Sequence, residues 1–351
     1  MNIGIICEFN PFHAGHKYLI DSVKKENCGI ICCMSGNFVQ RGEFAVYDKF
    51  KRAKAALENG ADLVIELPCE QATLSADGFA KSACSLLEAT GITDKIAFGA
   101  ETDDAERLIE TANMLQRDDI KEKILFELKS GVSYPAARRE ATGSEILDYP
   151  NNILGVEYIK ATSLPVEVIK RIGKGHDTDD INYSASAIRK TLDENEISSL
   201  YNCEKAVLYK LRNMSRDDFA RIADVTEGLE NRIYEAAREA QSLDMLYDLI
   251  KSKRYTLSRI KRIVLRSFLS IEGSSTDAPY IRILGFNDKG REMLGEMKKK
   301  AQKPIVSRIG DCESSVLPCF ERECKYTDIY NLGYKKPLPC GTEQRSQIVI
   351  I

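Results

Sequence analysis

Over its first 195 residues the chain alternates short, uninterrupted apolar runs with amphipathic stretches, and this alternation constrains the fold most. The runs fall at 3–7, 30–34, 63–67, 95–98 and 165–171. They are rich in Ile, Val and Leu and continuous rather than alternating, as in strands covered on both faces. Helical patterns occupy 15–26, 47–58, 76–89, several segments between 104 and 161, and 184–194; Asn59-Gly60 and Gly91 stand as C-terminal stops. Strand–helix alternation predicts an α/β fold with a doubly wound parallel sheet, whose ligands bind at the carboxyl ends of the strands. Beyond residue 195 the strand pattern disappears. Segments at 204–214, 220–241 and 256–270 read as helices, followed from about residue 275 by a Gly-containing turn, a Lys-rich helix and an irregular tail. The expected organisation is an α/β domain over 1–195 and a mostly α-helical domain over 196–351.

Composition narrows the setting. With 43% hydrophobic and 29% charged residues among 351, wholesale disorder is excluded. No apolar run is long enough to span a bilayer. The first run meets Glu8 at once and lacks a basic leader, so no signal peptide is expected. Eleven cysteines, an odd number, point to reduced thiols and a cytoplasmic location. Cys32 and Cys33 are adjacent, and Cys312, Cys319, Cys324 and Cys340 lack the paired spacing of a zinc site, so no protein-held metal is expected. The net charge of −3 excludes a uniform basic coat but not a local basic patch.

Only three histidines are present, and His13 and His16 stand three residues apart directly after the first strand. On a strand-to-helix turn, two imidazoles at this spacing can address one polyphosphate, and Gly15 lets a ligand approach the backbone. Phosphoryl-type transition states need hydrogen-bonding or positive groups rather than a covalent nucleophile, which suits nucleotidyl transfer.

The stretch Gly4–His16 resembles the HxGH signature of the nucleotidyltransferase superfamily, a HUP-like fold. Tyr183–Arg189 is similar to its second, Ser-rich signature, with Ser184, Ser186 and Arg189 matching and Ala185 in place of a common Ser. The likeness to the tRNA(Met) cytidine acetate ligases is closer. It includes Gly4–Leu19, Ser35–Gly42, Asp48-Lys49, Arg52–Lys54, Gly60–Pro68, Phe98–Glu101, Ser133–Pro135, Pro150–Gly155, Lys170–Gly173, Glu227–Leu229 and Tyr280–Phe286. It departs at Cys7, where the family often has Ala, and at Ala14, where it often has Asn.

The resemblance implies an ATP-dependent ligase. Such enzymes activate acetate as acetyl-adenylate and acetylate N4 of the wobble cytidine of elongator tRNA(Met). ATP is the co-substrate, magnesium accompanies its phosphates, and no obligate protein partner or membrane is implied. Catalytic roles fall to His13 and His16, with Lys49 or Arg52 as a phosphate ligand. The implied ATP site takes Cys7, Glu8, Phe9, Asn10, Pro11, Phe12, His13, Ala14, Gly15, His16, Lys17, Tyr18, Leu19 and Ile20 from the first turn and helix. Gly99, Ala100, Asn152, Arg171, Ile172, Ser184, Ser186 and Arg189 complete it. Asn152 has the donor and acceptor to pair with a purine edge.

For the tRNA, the run at 251–266 holds seven basic residues and no acid, with Leu257, Ile260, Ile263 and Val264 at core spacing. Arg254, Arg259, Lys261, Arg262 and Arg266 are the expected phosphate contacts, helped by Arg41 on a loop at 35–42 that reads as a lid or tRNA-contacting segment. Lys298–Lys300 with Lys303 form a weaker patch. Asp77 reads as a helix N-terminal charge, and His176 as a loop residue near the second signature. A small-molecule adenylyltransferase and a non-catalytic tRNA-binding protein are the alternatives. The helical half weighs against the first and the intact His13, Gly15 and His16 against the second. A class I aminoacyl-tRNA synthetase lacks support because no Lys-Met-Ser-Lys-Ser-like loop is present.

Overall fold

In the computed structural model, which describes residues 1–172 and 185–351, the chain builds one eight-stranded sheet flanked by helices. The first half runs β1 (Asn2–Cys7), α1 (Ala14–Val23), β2 (Gly29–Ser35), the short pair β3 (Phe38–Val39) and β4 (Glu43–Phe44), then α2 (Lys49–Glu58) and β5 (Leu63–Leu67). It continues through α3 (Cys69–Ala72), α4 (Ala76–Ala89) and β6 (Lys95–Ala100). A helical excursion, α5 (Ala105–Gln116), α6 (Asp118–Lys129), α7 (Tyr134–Thr142) and α8 (Pro150–Ala161), precedes β7 (Val166–Lys170). The five expected strands are all present and mutually parallel, in the order β5-β2-β1-β6-β7. The order reverses direction at β1, so the crevice between the carboxyl ends of β1 and β6 is where such a sheet binds ligands.

After α9 (Ala185–Arg189), which ends before the expected residue 194, comes the expected helical block. It comprises α10 (Glu204–Arg212), α11 (Arg216–Ala220), α12 (Leu229–Glu239), α13 (Leu243–Ile250) and α14 (Leu257–Leu269), packed around a second apolar core that Phe38, Phe44, Cys69, Tyr326 and Tyr330 also enter. The division at residue 195 is nevertheless corrected. The chain returns to the sheet through β8 (Ile281–Phe286), which pairs antiparallel with β5, so the sheet is mixed. Past α15 (Asp288–Lys300), β9 (Ile305–Val306) pairs with β8. After α16 (Leu317–Tyr330) and α17 (Thr342–Arg345), β10 (Val349–Ile350) adds to the other end of β8. The tail expected to be irregular is therefore structural.

Alternation along the strands divides the sheet's two faces. Ile3 and Ile5 of β1 join the core under α1 and α2, whereas Ile6 joins the core under α4 and α8. On β6, Ala97 faces the first side, and Ile96, Phe98 and Ala100 face the second.

Two sequence expectations change in the packing of α14. Leu257 is exposed, while Arg262 and Arg266 are buried. Arg266 donates to the carbonyls of Glu70 (2.7 Å) and Gly273 (2.7 Å) and to the Thr73 hydroxyl (2.9 Å). Arg262 binds the Asp224 carboxylate (2.9 Å), Arg259 the Asp224 carbonyl (2.7 Å), and Lys261 the Glu43 carboxylate (2.6 Å). The basic stripe is thus turned inward. It joins α14 to its own block and to the edge of the sheet domain, because both flanks of this helix are covered. Arg254 lies instead beside Gly131 of the α6–α7 turn.

Candidate active site

The turn after β1 carries the histidine pair. Phe9 adopts φ 47°, in the left-handed region where a bulky residue is strained, and the Asn10–Pro11 bond is cis. Held there, His13 becomes the N-cap of α1. Its Nδ1 accepts the Gly15 amide (3.1 Å), and the His16 Nδ1 accepts the His13 amide (3.3 Å). This reciprocal arrangement is a capping box built from two imidazoles. The rings stack with centroids 3.7 Å apart and 22° between planes, and His16 also meets Phe9 edge-on at 4.9 Å.

The tautomers follow. A backbone amide can only donate, so both Nδ1 atoms are acceptors and, in the neutral rings, both protons sit on Nε2. Burial, followed by the charges of Arg171 and Arg189, lowers the His13 pKa to about 4. Burial and the neighbouring His13 put His16 well below the usual imidazole range. At neutral pH the site therefore holds two neutral imidazoles with Nε2–H donors. The sequence pointed to two imidazoles on one polyphosphate and to a backbone opened by Gly15. The structure shows the rings engaging the Gly15 and His13 amides and presenting Nε2–H in their place, each polarised by the bond behind it.

These residues open into a cleft at the carboxyl edge. Of the expected ATP-site residues, Cys7, Glu8, Phe9, Asn10, His13, Gly15, His16, Tyr18, Leu19, Gly99, Arg171, Ile172, Ser186 and Arg189 line it. Arg41, expected at the tRNA, lines it too. The cleft spans both faces of the sheet edge. On the α1 side stand His13, His16, Leu19, Gly99, Ile169 and Arg171. A Cβ on Gly99 would lie 3.3 Å from the Arg171 Cγ, so the glycine lets the arginine stem lie over β6. On the α4–α8 side stand Ile6, Glu8, Gln40, Phe79, Phe98, Leu154 and Tyr158. Arg189 closes the rim, donating to the Asn10 carbonyl (2.7 Å) and to Ser186 Oγ (3.1 Å). Burial lowers both arginines from their usual value, yet they remain cations at neutral pH.

Several expected residues are placed elsewhere. Ile20 and Ala100 are core residues, and Pro11, Phe12, Ala14 and Lys17 are not in the cleft wall. Lys49, 1% exposed, is ion-paired to Glu66 (2.8 Å) and Glu343 (2.9 Å). Arg282 joins through Glu343 at 3.4 Å. Burial pulls the Lys49 ammonium down, but Glu343 and Glu66 outweigh this and hold it above its ordinary value. Arg52, also 1% exposed, donates to the carbonyls of Tyr47 (2.9 Å), Glu8 (2.6 Å), Ser35 (3.0 Å) and Gly36. Neither cation faces the cleft. Arg52 ties together the loops after β1 and β2, so it positions the site rather than forming its wall.

Asn152, 2% exposed, uses its Oδ1 to accept the amides of Glu101 (2.8 Å) and Thr102 (3.2 Å). Its neighbour Asn151 is the cleft residue. The loop at 35–42 is buried at 35–39 rather than lid-like. A Cβ on Gly42, at φ 77°, would lie 2.3 Å from the Arg262 amide nitrogen, so that glycine permits close packing on α14. Asp77 is a first-turn charge paired with Lys81 (2.8 Å). Ser184, Tyr183 and His176 lie outside the described residues. Phe79, Phe98, Asn151 and Tyr158 were not foreseen. Their available signal was position: Phe98 precedes Gly99 on the strand, and Tyr158 lies two turns along the helix from Asn151.

Among the described residues no cluster of three or more His, Cys, Asp or Glu is placed to hold a metal ion, and no helix is long and apolar enough to cross a membrane.

Residues 1–345 match the HIGH Nucleotidyl Transferase family. The chain is 39% identical to the tRNA(Met) cytidine acetate ligase of Caldanaerobacter subterraneus subsp. tengcongensis, with 95% of each chain covered. It is 35% identical to that of Acetivibrio thermocellus, with 99% of each covered. Among solved structures it is similar to Thermotoga maritima TmcAL in its apo form, with TM-score 0.90, 33% identity, and 100% of this chain and 99% of that one covered. The same protein bound with alpha-thio ATP gives TM-score 0.88 at the same identity and coverage.

Proposed function

The chain belongs to the HIGH nucleotidyl transferase family, and from that premise we propose that it is an ATP-dependent tRNA(Met) cytidine acetate ligase. The observation that carries this reading is the histidine capping box facing a cleft that also holds Arg171 and Arg189. Near-full-length similarity to relatives bearing that activity supports it.

The chemistry follows from the site. Acetate is a poor acyl donor, and adenylation gives it a good leaving group. One acetate oxygen attacks the α-phosphorus of ATP, the bond to the bridging oxygen breaks, and pyrophosphate departs with the electron pair. Charge then builds on phosphate oxygens. The Nε2–H groups of His13 and His16 donate to them, and Arg171 and Arg189 supply fixed positive charge. A neutral, buried imidazole costs little to keep in place before ATP arrives, and the approaching anion raises its pKa, so its donor strengthens as charge develops. Magnesium enters with the triphosphate as part of the substrate. The cytosine amine of the tRNA then displaces AMP from acetyl-adenylate. The wobble cytidine of elongator tRNA(Met) is the acceptor in this reading, and Arg41 and Arg189 in the cleft lining are cations suited to its phosphates.

Acetate-dependent exchange of labelled pyrophosphate into ATP tests the first step without tRNA. Exchange that requires acetate is expected; ATP turnover indifferent to acetate would refute the assignment. A purely tRNA-binding role predicts no exchange at all.

A further inference from the structure

The α4–α8 half of the cleft differs in character from the histidine half. Its wall is Ile6 and Phe98 on adjacent strands with Phe79 and Tyr158 packed beside them, all four core residues that show only an edge to the cleft. Phe98 and Tyr158 meet edge-to-face at 5.4 Å. One carboxylate enters this apolar setting. Glu8 lines the cleft, and its Oε1 accepts the Gln40 amide at 2.6 Å. That bond uses one of about four acceptor positions on a carboxylate, so most of its capacity remains. Arg52 binds the Glu8 carbonyl at 2.6 Å, which fixes the backbone from which the side chain leaves.

A flat aromatic ligand with an amino group fits this chemistry. Exposed bases are bound by stacking on aromatic side chains and by hydrogen bonds to their edges. Cytosine presents its N4 amine as a donor, and Glu is a matching acceptor. His13 and His16, where the ligase reading forms the adenylate, stand across the end of β1 from this half.

We infer that the α4–α8 half of the cleft is the cytosine subsite, and that Glu8 binds the N4 amine and serves as the base for acetyl transfer. This deepens the ligase reading and rests on it. The N4 nitrogen attacks the acetyl carbonyl carbon and a C–N bond forms. The N4 proton passes to the Glu8 carboxylate, the C–O bond to the phosphate breaks, and AMP leaves with that electron pair. Glu8 later releases the proton to solvent. Burial raises its carboxyl above the usual range, against the opposing pull of the Gln40 amide, Arg41 and Arg52, which makes it a stronger base. The apolar wall beside Glu8 then meets the acceptor base, and not ATP, while Gln40 holds the Glu8 carboxylate through its backbone N–H.

The test compares two steps in one variant. Wild type and Glu8→Gln are assayed for acetate-dependent pyrophosphate exchange and for single-turnover transfer of labelled acetyl groups to a tRNA(Met) transcript. Loss of a general base is expected to slow transfer by about 10²- to 10³-fold, with a much smaller effect on exchange. Equal losses in both steps would overturn the inference and place Glu8 at the nucleotide; unchanged transfer would overturn it too. If Glu8→Gln does not fold, Glu8→Asp keeps the charge one methylene back and carries the same comparison. Wild-type protein that forms no N4-acetylcytidine overturns the parent reading and this one together. A wild type that acetylates beside a Glu8→Gln that loses both steps equally overturns only the role of Glu8.

Discussion

Replacing Arg52 by Met separates a structural cation from a phosphate ligand. Met matches much of the side-chain length but donates nothing. Arg52 serves four carbonyls, of which those of Ser35 and Gly36 are fully buried and those of Tyr47 and Glu8 partly so. Water reaches the latter pair in the variant, whereas the buried pair loses its donors. Each buried carbonyl left unpaired costs about 2 kcal/mol, giving a loss of about 4 kcal/mol. At roughly 2 °C per kcal/mol for a large domain, the thermal midpoint falls by about 8 °C. Urea titration followed by circular dichroism gives the free energy, and exchange kinetics at a temperature where the variant is folded give KM for ATP. A large stability loss is expected, with kcat falling because Glu8 and the loop after β2 are less well held. A variant as stable as wild type, with only the KM for ATP raised tenfold or more, would refute the reasoning.

Other expectations follow from the same contacts. His16→Ala removes one Nε2–H donor and half of the capping box, so acetate-dependent exchange should fall by about 10²-fold or more; near-normal exchange would exclude the assigned role. The His13 pKa lies below its unfolded value of about 6.5, near 4 in the fold. The unfolded chain therefore binds the extra proton between those values, and the stability this group contributes is present above pH 6.5 and lost as pH falls toward 4. His13→Asn, which still caps the helix, should show a shallower fall of thermal midpoint over that window, and an identical slope would contradict the pKa. Arg266→Met removes the bond to the buried Thr73 hydroxyl, while water reaches the part-buried Glu70 and Gly273 carbonyls, so it should destabilise by about 2 kcal/mol in denaturant titration; a loss of tRNA affinity with unchanged stability would return α14 to the RNA surface.

What the sequence disclosed, and what it hid, divides by the range of the interaction. The strands around Ile3, Ile31, Val64 and Ile96 were legible because burial on both faces leaves a local signature of continuous apolar residues. The histidine pair was legible because its capping box closes within four residues. Lys49, Arg52 and Asn152 looked like ligands because their partners are remote or are bare carbonyls and amides, which no residue type announces. The Lys49 partner Glu343 stands at the other end of the chain. Strand β8 was concealed by Arg282, a charge in the middle of a strand; its burial becomes intelligible only beside Glu343 and the ring of Phe320 at 4.8 Å. The basic residues of α14 misled for a related reason. An arginine-rich face reads alike whether it meets RNA phosphates or protein carbonyls, and here Asp224, Glu70 and Gly273 supply the acceptors.

In the ligase reading, one cleft makes acetyl-adenylate and passes its acetyl group to a tRNA cytosine. Incubating the protein with ATP, carbon-labelled acetate and tRNA(Met), then digesting the RNA to nucleosides for mass analysis, tests it directly. N4-acetylcytidine carrying the label is expected, formed only when ATP and acetate are both present. Unlabelled nucleosides alongside active, acetate-dependent exchange would contradict it and leave a small-molecule adenylyltransferase in its place.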